Sequence, residues 1–579
     1  MGAGTPRTPA AELSLEDVRQ AVAGLLQADP GTIGDADNLI RHGMDSIRMM
    51  RLAGGWRRSG ADVSFQKLAE TPTVEQWHRL LTVPAAVAAT PGATAAVRPP
   101  VETGAPFELT PVQRAYWIGR GDDMALGGVG CHAYLEFDGH AVEPGRLEAA
   151  VRQVSERHGM LRATFLDDGR QQILDRSPWP GLTVHDLTAA GEPGGAAAAD
   201  PAADPAGDAV EQGLAAVRAG LSHRRLDVAA GEVFDVQLSL LPGGRTRIHL
   251  NIDLLVADVA SIEVLLADLA TAYAAPERLA PVGDYGFAQY LADYRASAGS
   301  PADPAGPLAA AQRYWKELLP ELPTGGPRLP LAKRPEELGR TRFSRRSFVL
   351  GAQEWQRITA RAREHGLTTA MVLAAAYAEV LGAWSEEPAF LLNVPLFDRQ
   401  PLDPAVAGMI ADFTNLVLLP VDLSRPAPFA ERVRGLQRSV QRNASHAQYS
   451  TLNVLRDLRR AHGGRRVGAP VVFACNLGSE FVAPAFRAEL GELTWMLSQT
   501  PQVWLDHQVY RTDDSVQLAW DAVDELFPAG LLDAMLGAYR ALLERLGGPE
   551  DRWHLPAEVA AGAAQDRGAA ASTAAGAVR

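Results

Sequence analysis

The sequence predicts a multidomain chain, with a small all-α bundle first, then a linker and a much larger α/β region. Three observations carry this. Residues 12–82 hold four short stretches of helical apolar spacing, each opened by a capping residue. Residues 83–104 (VPAAVAATPGATAAVRPPVETG) are rich in Ala and Pro and lack amphipathic periodicity, as a semi-flexible tether does. From 105 to 556, strand and helix signals mix without an internal repeat, and 579 residues suffice for two or three folding units.

In the bundle, Ser14-Leu15-Glu16-Asp17 starts a first helix whose Val18, Val22, Leu25 and Leu26 share one face. A polar loop through Asp29, Gly31 and Asp35 reaches His42. Ser46 opens a second helix, with Ile47, Met50 and Leu52, that ends near Gly54-Gly55. A short helix from Ser64 (Phe65, Leu68) and one capped at Thr73 (Val74, Trp77, Leu80, Leu81) complete the unit. The pentapeptide Gly43-Met44-Asp45-Ser46-Ile47 places a hydroxyl at a helix start. There, unpaired N–H groups and the positive dipole end favour a phosphate. Taken alone, Ser46 reads equally well as an N-cap. The stretch Gly43 to Thr73, however, resembles the aryl carrier domains of siderophore-type nonribosomal peptide synthetases. The resemblance implies 4′-phosphopantetheine joined covalently to Ser46 and a phosphopantetheinyl transferase to attach it. It also implies a stand-alone adenylating enzyme delivering an aromatic acid such as salicylate or 2,3-dihydroxybenzoate.

Composition excludes several classes. A net charge of -14 argues against nucleic acid or an anionic membrane as partner. The N-terminus (MGAGTPRTPAAELS) has no apolar signal region and no stretch is long enough for a membrane span, so a cytoplasmic chain is expected. Cys131 and Cys475 alone provide neither a disulfide framework nor a Cys-rich metal site, and no metal is expected. Residues 189–208 read as a low-complexity surface insertion, and 557–579 as an Ala/Gly-rich tail.

The large region opens at Thr110-Pro111-Val112-Gln113, an N-cap Thr with Pro at N1 and Gln at N3, inside FELTPVQRAYWIGR (107–120). RHGMLRATF (157–165) follows, and then Asp168-Gly169-Arg170-Gln171-Gln172. The strand IHLNIDLLV leads into Asp253…Asp258…Ser261 and the helix IEVLLADLATAY. Two carboxylates five residues apart across such a turn suit shared acid–base work. Equally, Asp258 or Ser261 caps the helix and Asp253 pairs with a buried Arg. Later come LPELP (319–323) before LPL (329–331), TTAMVL (368–373) running on to VLGAWS (380–385), DFTN (412–415) and SQTPQVWLDHQ (498–508).

In this order, the segments resemble the signatures of heterocyclization domains, a branch of the condensation-domain superfamily. Ordinary condensation domains carry HHxxxDG where this chain has DxxxxDxxS, so Asp253, Asp258 and Ser261 serve as motif residues. The implied fold is a V-shaped pair of chloramphenicol-acetyltransferase-like α/β lobes, an N-lobe over 105–280 and a C-lobe over 281–556, with a tunnel between them. The implied reaction transfers an aryl group to carrier-bound cysteine and cyclodehydrates the amide to a hydroxyphenyl-thiazoline. This is the opening step of pyochelin- or yersiniabactin-type siderophore assembly, served by downstream adenylation and peptidyl carrier domains. Rival readings are a condensation-only domain giving an open amide, and a non-catalytic scaffold that presents the carrier.

Ring closure needs a group that protonates a departing hydroxyl and takes up a proton. Strand alternation puts Gln502, Trp504, Asp506 and Gln508 on one face and Val503, Leu505 and Val509 on the other. The pattern alone allows Asp506 to face either a tunnel or solvent; the resemblance assigns it to cyclodehydration. One departure stands out. The strand PVVFACN (470–476) has Ala474 where the family motif PVVFTS has the Thr that partners this Asp. Either Cys475 or another polar group assists, or Asp506 suffices with water, or cyclization is impaired while condensation survives. Cys475 itself reads as a nucleophile or a small buried thiol, and Asp412 and Thr414 as tunnel-lining helpers or a turn. Neither the choice of aryl acid nor Cys over Ser or Thr as acceptor is encoded in these residues. Without adenylation motifs, the chain reads as a fragment of a larger synthetase.

Overall fold

Val18 and Val22 on the helix Leu15–Leu26 and Trp77 on Val74–Thr82 are wholly buried against one another's surroundings, closing a core of the bundle's own. Ser14 and Asp17 cap the first helix reciprocally: the Asp17 carboxylate accepts from Ser14 N at 2.8 Å, and Ser14 Oγ accepts from Asp17 N at 3.1 Å. Trp77 Nε1 donates to Leu68 O at 2.8 Å, and its ring meets Trp56 edge-on with centroids 5.8 Å apart. The computed structural model describes residues 13–26, 28–44, 71–82, 104–191, 205–280, 283–299, 303–463 and 467–559, and single positions between 48 and 68. The expected attachment site Ser46, the expected helix start at Ser64 and residues 83–103 lie outside the described residues.

In the first part of the large region the strands are β1 (Phe107–Glu108), β2 (His132–His140), β3 (Ala163–Phe165), β4 (Arg170–Ile173), β5 (Thr183–Asp186), β6 (Phe234–Leu240) and β7 (Arg245–Asp253). The second part adds β8 (Ser344–Leu350), β9 (Ala389–Phe397), β10 (Thr414–Asp422), β11 (Val471–Glu480), β12 (Glu492–Gln499), β13 (Leu505–Thr512) and β14 (Ser515–Ala522). They form a small sheet β1-β4-β3, a five-stranded sheet β12-β2-β7-β6-β5 and a six-stranded sheet β10-β9-β11-β13-β14-β8. Two α/β lobes result, each with its own apolar core.

Alternation decides which face of each sheet is dry. In the five-stranded sheet Leu135, Phe137, Leu238, Ile248 and Leu250 pack with apolar residues of the helices Pro144–Arg157 and Val259–Ala274. The alternate residues carry a buried polar layer, in which Glu136 takes Arg218 at 2.5 Å and Arg247 at 3.2 Å. In the six-stranded sheet the helix Thr369–Trp384, apolar on nearly every side, inserts Tyr377 among Phe473, His507, Trp520 and Tyr539. Burial drives the His507 pKa down to about 3, so its ring is neutral.

The two lobes exchange chain. β12 lies far beyond residue 280, near which the lobes are expected to divide, yet it pairs antiparallel with β2 along its length and completes the first lobe's sheet. Val406, Ile410, Ala411, Phe413, Phe481 and Phe486 likewise join the first lobe's core. Among the described residues no single helix is long and apolar enough to cross a membrane.

The separate core of the bundle yields a test. Trp77→Ala removes its largest fully buried side chain and one buried hydrogen bond, at about 3–5 kcal/mol. A unit of this size has little more than that to lose. Calorimetry of the whole chain is expected to show the bundle's transition abolished and the larger transition moved by less than about 1 °C.

Candidate active site

Between the two sheets lies a mostly apolar cavity. Tyr116, Leu254, Asp258 and Ile262 wall it from the first lobe, and Asn393, Thr414, Ala474 and Asp506 from the second. Asp506 sits on β13 between Val472 of β11 and Asp521 of β14 and is 4% exposed. Its Oδ2 accepts from Gln508 Nε2 at 2.7 Å, while Oδ1 has no hydrogen-bond partner. Burial raises its pKa to about 7, helped by the nearby charge of Asp521, while Gln508 and Arg345 pull the other way. Asp521 is itself held by Arg345 through two bonds of 2.7 and 2.6 Å and accepts from Ser498 N at 2.9 Å.

The expected alternation needs correction before residue 505. Asp506 and Gln508 share the cavity face, and Leu505 and Val509 pack into the second lobe's core. Val503, however, clusters with Val472 and Ala474 at the cavity, whereas Trp504 packs against the second lobe's core. Gln502 takes a left-handed backbone (φ 70°) and turns its amide to Ala125 O. The two-residue period therefore begins only at Leu505, where the strand begins.

The motif Asp253–Asp258–Ser261 forms a set of fixed contacts. Asp253 is fully buried and paired with Arg120, and Leu255 N donates to it at 3.1 Å. Burial nonetheless holds its carboxyl above the ordinary range. Asp258 caps the helix Val259–Ala274, accepting from Ser261 N at 2.7 Å and from Arg399 at 3.0 Å. Ser261 Oγ donates to Ala411 O at 2.7 Å and accepts from Ala411 N at 3.0 Å. Arg399 also lies over the Phe413 ring, 4.1 Å from its centroid. Neither Arg120 nor Arg399 carries a local signal naming its partner, and sequence reasoning missed both.

The remaining expected residues are spread around the cavity. Thr414 lines it. Asp412 is not on the wall: it lies fully buried, with Oδ1 accepting from Thr414 N at 3.0 Å and Oδ2 unpartnered. Burial holds its carboxyl well above the ordinary range. Ala474 and the half-buried Cys475 both reach the cavity, and Ala474 stands in register with Gln508. Tyr116 and Asn393 also reach the wall; Tyr116 belongs to the helix that the Thr110 capping box starts, and nothing in the sequence marks Asn393. Ser46 is outside the described residues; before it Gly43 takes a left-handed backbone (φ 98°), and after it Arg48 is helical. Among the described residues no group of His, Cys, Asp or Glu is arranged to hold a metal ion.

Comparison with known proteins agrees with this architecture. Residues 16–81 match the phosphopantetheine attachment site model, and residues 106–546 the condensation domain model. Pyochelin synthetase PchE of Pseudomonas aeruginosa is 45% identical over 92% of this chain, and phenyloxazoline synthase MbtB of Mycolicibacterium paratuberculosis is 41% identical over 95%. The chain spans only 35% and 45% of those two proteins' lengths. Among solved structures, the EpoB cyclization-docking bidomain from Sorangium cellulosum superposes with a TM-score of 0.67 at 33% identity, covering 78% of this chain and 86% of that one. Carrying the cyclization-type motif in the loop between β7 and the helix Val259–Ala274, the chain belongs to the condensation-domain family of nonribosomal peptide synthetases, as a heterocyclization domain preceded by a phosphopantetheine carrier domain.

Proposed function

We propose that this chain joins a carrier-bound aryl group, salicylate-like, to carrier-bound cysteine and closes the product to a thiazoline, in siderophore-type biosynthesis. The observation that carries the reading is Asp506, a buried carboxyl of near-neutral pKa with one unpartnered oxygen, on the wall of the cavity between the lobes. When attached to Ser46, 4′-phosphopantetheine supplies the thiol that holds the aryl acid as a thioester. The cavity keeps the aryl carbonyl and the incoming amine together and out of bulk water, which supplies most of the help amide formation needs. Leu254, Ile262, Phe481 and Met496 give it an apolar wall suited to an aromatic ring. Ring closure places a hydroxyl on the former amide carbon. Asp506 gives its proton to that hydroxyl as water leaves and recovers one from the ring nitrogen, so the carboxyl ends as it began.

The working partners in this reading are a phosphopantetheinyl transferase, a stand-alone aryl-acid adenylating enzyme and downstream adenylation and peptidyl carrier domains, all in the cytoplasm. Ala474 favours one second reading, condensation without ring closure, because no side-chain hydroxyl backs Asp506 from that position.

Mass spectrometry of product offloaded from salicyl-loaded chain and a cysteine-loaded acceptor carrier separates the two. The expected product is one water lighter than the open amide. Amide alone overturns cyclization, and no product at all leaves a carrier-presenting scaffold. With Asp506→Ala, amide is expected to persist while ring product falls roughly 10²–10⁴-fold.

The pH dependence has a defined sign. Asp506 must be protonated to release the hydroxyl, so the ring-to-amide ratio is expected to decline as pH rises through about 7. Its raised pKa also means that ionization opposes folding. That cost is absent below the ordinary carboxylate range, grows as pH rises from there, and is complete above about 7. Asp506→Asn is therefore expected to melt higher than the parent at pH 8, by a few kcal/mol in stability, and with it near pH 4, while losing ring closure.

A further inference from the structure

Asp506 is approached from three sides, and only one supplies a donor. On β11 its neighbours Val472 and Ala474 form an apolar cluster with Val503. On β14 its register partner Asp521 is a carboxylate already engaged by Arg345 and Ser498 N. On β13 itself, two residues along and on the same face, Gln508 Nε2 donates to Oδ2 at 2.7 Å. We propose that Gln508 is the positioning residue of Asp506, holding Oδ2 as the accepting oxygen so that Oδ1 alone carries and delivers the proton, in place of the hydroxyl that Ala474 does not provide. This rests on the assignment of ring closure to Asp506.

The chemistry follows from the donor set. An ionized carboxylate only accepts, so the amide must turn its NH₂ toward it. With Oδ2 occupied by that N–H, the acid form places its proton on Oδ1, the oxygen without a partner. In the dehydration the C–O bond to the ring hydroxyl breaks as the Oδ1 proton passes to that oxygen, giving water. The ring N–H electron pair forms the C=N bond, and its proton returns to Oδ1. No oxidant or further reactant is needed. Because both residues lie on one strand with a two-residue spacing, the backbone sets their separation and the amide loses little freedom in making the bond.

Single-turnover assays of the full chain, salicyl-loaded and supplied with a cysteine-loaded acceptor carrier, test this with Gln508→Met, which keeps bulk and removes the donor. The ratio of ring product to open amide is expected to fall roughly tenfold to a hundredfold. Its alkaline limb is expected to move upward, since the lost bond favoured the charged carboxylate. Adding Ala474→Thr to Gln508→Met is expected to restore part of the ratio and bring the limb back down, an effect that lost packing cannot produce. Melting curves identify a misfolded variant, and Gln508→Glu then serves as the same-sized substitute, with a like charge that also raises the limb. An unchanged ratio and limb in Gln508→Met overturns the proposal. So does a fall in amide and ring product together with no shift of the limb. If the parent chain itself forms no ring, it is the assignment to Asp506 that fails.

Discussion

The hydroxyl of Ser261 bonds both the N–H and the C=O of Ala411, 150 residues away, and the cavity depends on that junction. Ser261 belongs to the first turn of the helix Val259–Ala274, and Ala411 to the segment that leads into β10. Asp258 and Thr414, which face the cavity from opposite lobes, lie within three residues of the two ends of this bond. All the groups are buried, so parting them leaves donors and acceptors unpaired at about 1–3 kcal/mol each. Arg399 reinforces the junction by bonding both Asp258 and Ser261, and it also donates to Val406 O and Met409 O. Asp253 anchors the other end of the same loop on Arg120. The motif's two carboxylates thus act as pins between chain segments: both oxygens of Asp253 are committed to Arg120 and Leu255 N, and Asp258 Oδ1 to Arg399 and Ser261 N, while Asp258 Oδ2 has no partner.

What the sequence shows and what it hides divide along a physical line. Local spacing encodes local structure. The Thr110–Gln113 capping box forms as expected, Gln113 donating onward to Leu255 O at 2.6 Å. The Ser14 start and the cap at Asp258 are equally local. Partners chosen by the fold leave no such trace. β12 has a strand's composition, but nothing in it says that it pairs with β2 of the other lobe. The left-handed Gln502 is invisible too, because the residue is not glycine and its conformation is set by tertiary contacts on both sides. Alternation placed Asp506 and Gln508 correctly and Trp504 wrongly because Trp504 and Leu505 both face the core and the strand begins only at Leu505.

Five carboxylates among the described residues are buried at or behind the lobe interface: Asp253, Asp258, Asp412, Asp506 and Asp521. A buried carboxylate must be paired or protonated, since desolvating a bare charge costs several kcal/mol. Asp253, Asp258 and Asp521 take the first course, each with an arginine. Removing either member of such a pair leaves the other buried without its partner. Asp412 and Asp506 have no arginine bonded to them, and burial raises the carboxyl of each, that of Asp506 to about 7. Of these two, Asp412 is kept behind Thr414 and Asp506 lines the cavity.

On the proposed reading, Ala474 in place of the threonine of the resembling motif then has a direction. A hydroxyl beside Asp506 donates to the carboxylate and favours its charged form. A methyl group packed with Val472 and Val503 gives no such support. The change therefore tilts Asp506 toward the protonated acid. The proposed dehydration draws on that form first, because a hydroxyl leaves from the ring carbon only as water. Opposing this tilt are Gln508, through its bond to Oδ2, and Arg345, which is itself tied up by Asp521. The balance between one amide and one missing hydroxyl sets whether the carboxyl can both release a proton and take the next one back, and a pKa of about 7 is where both directions remain open.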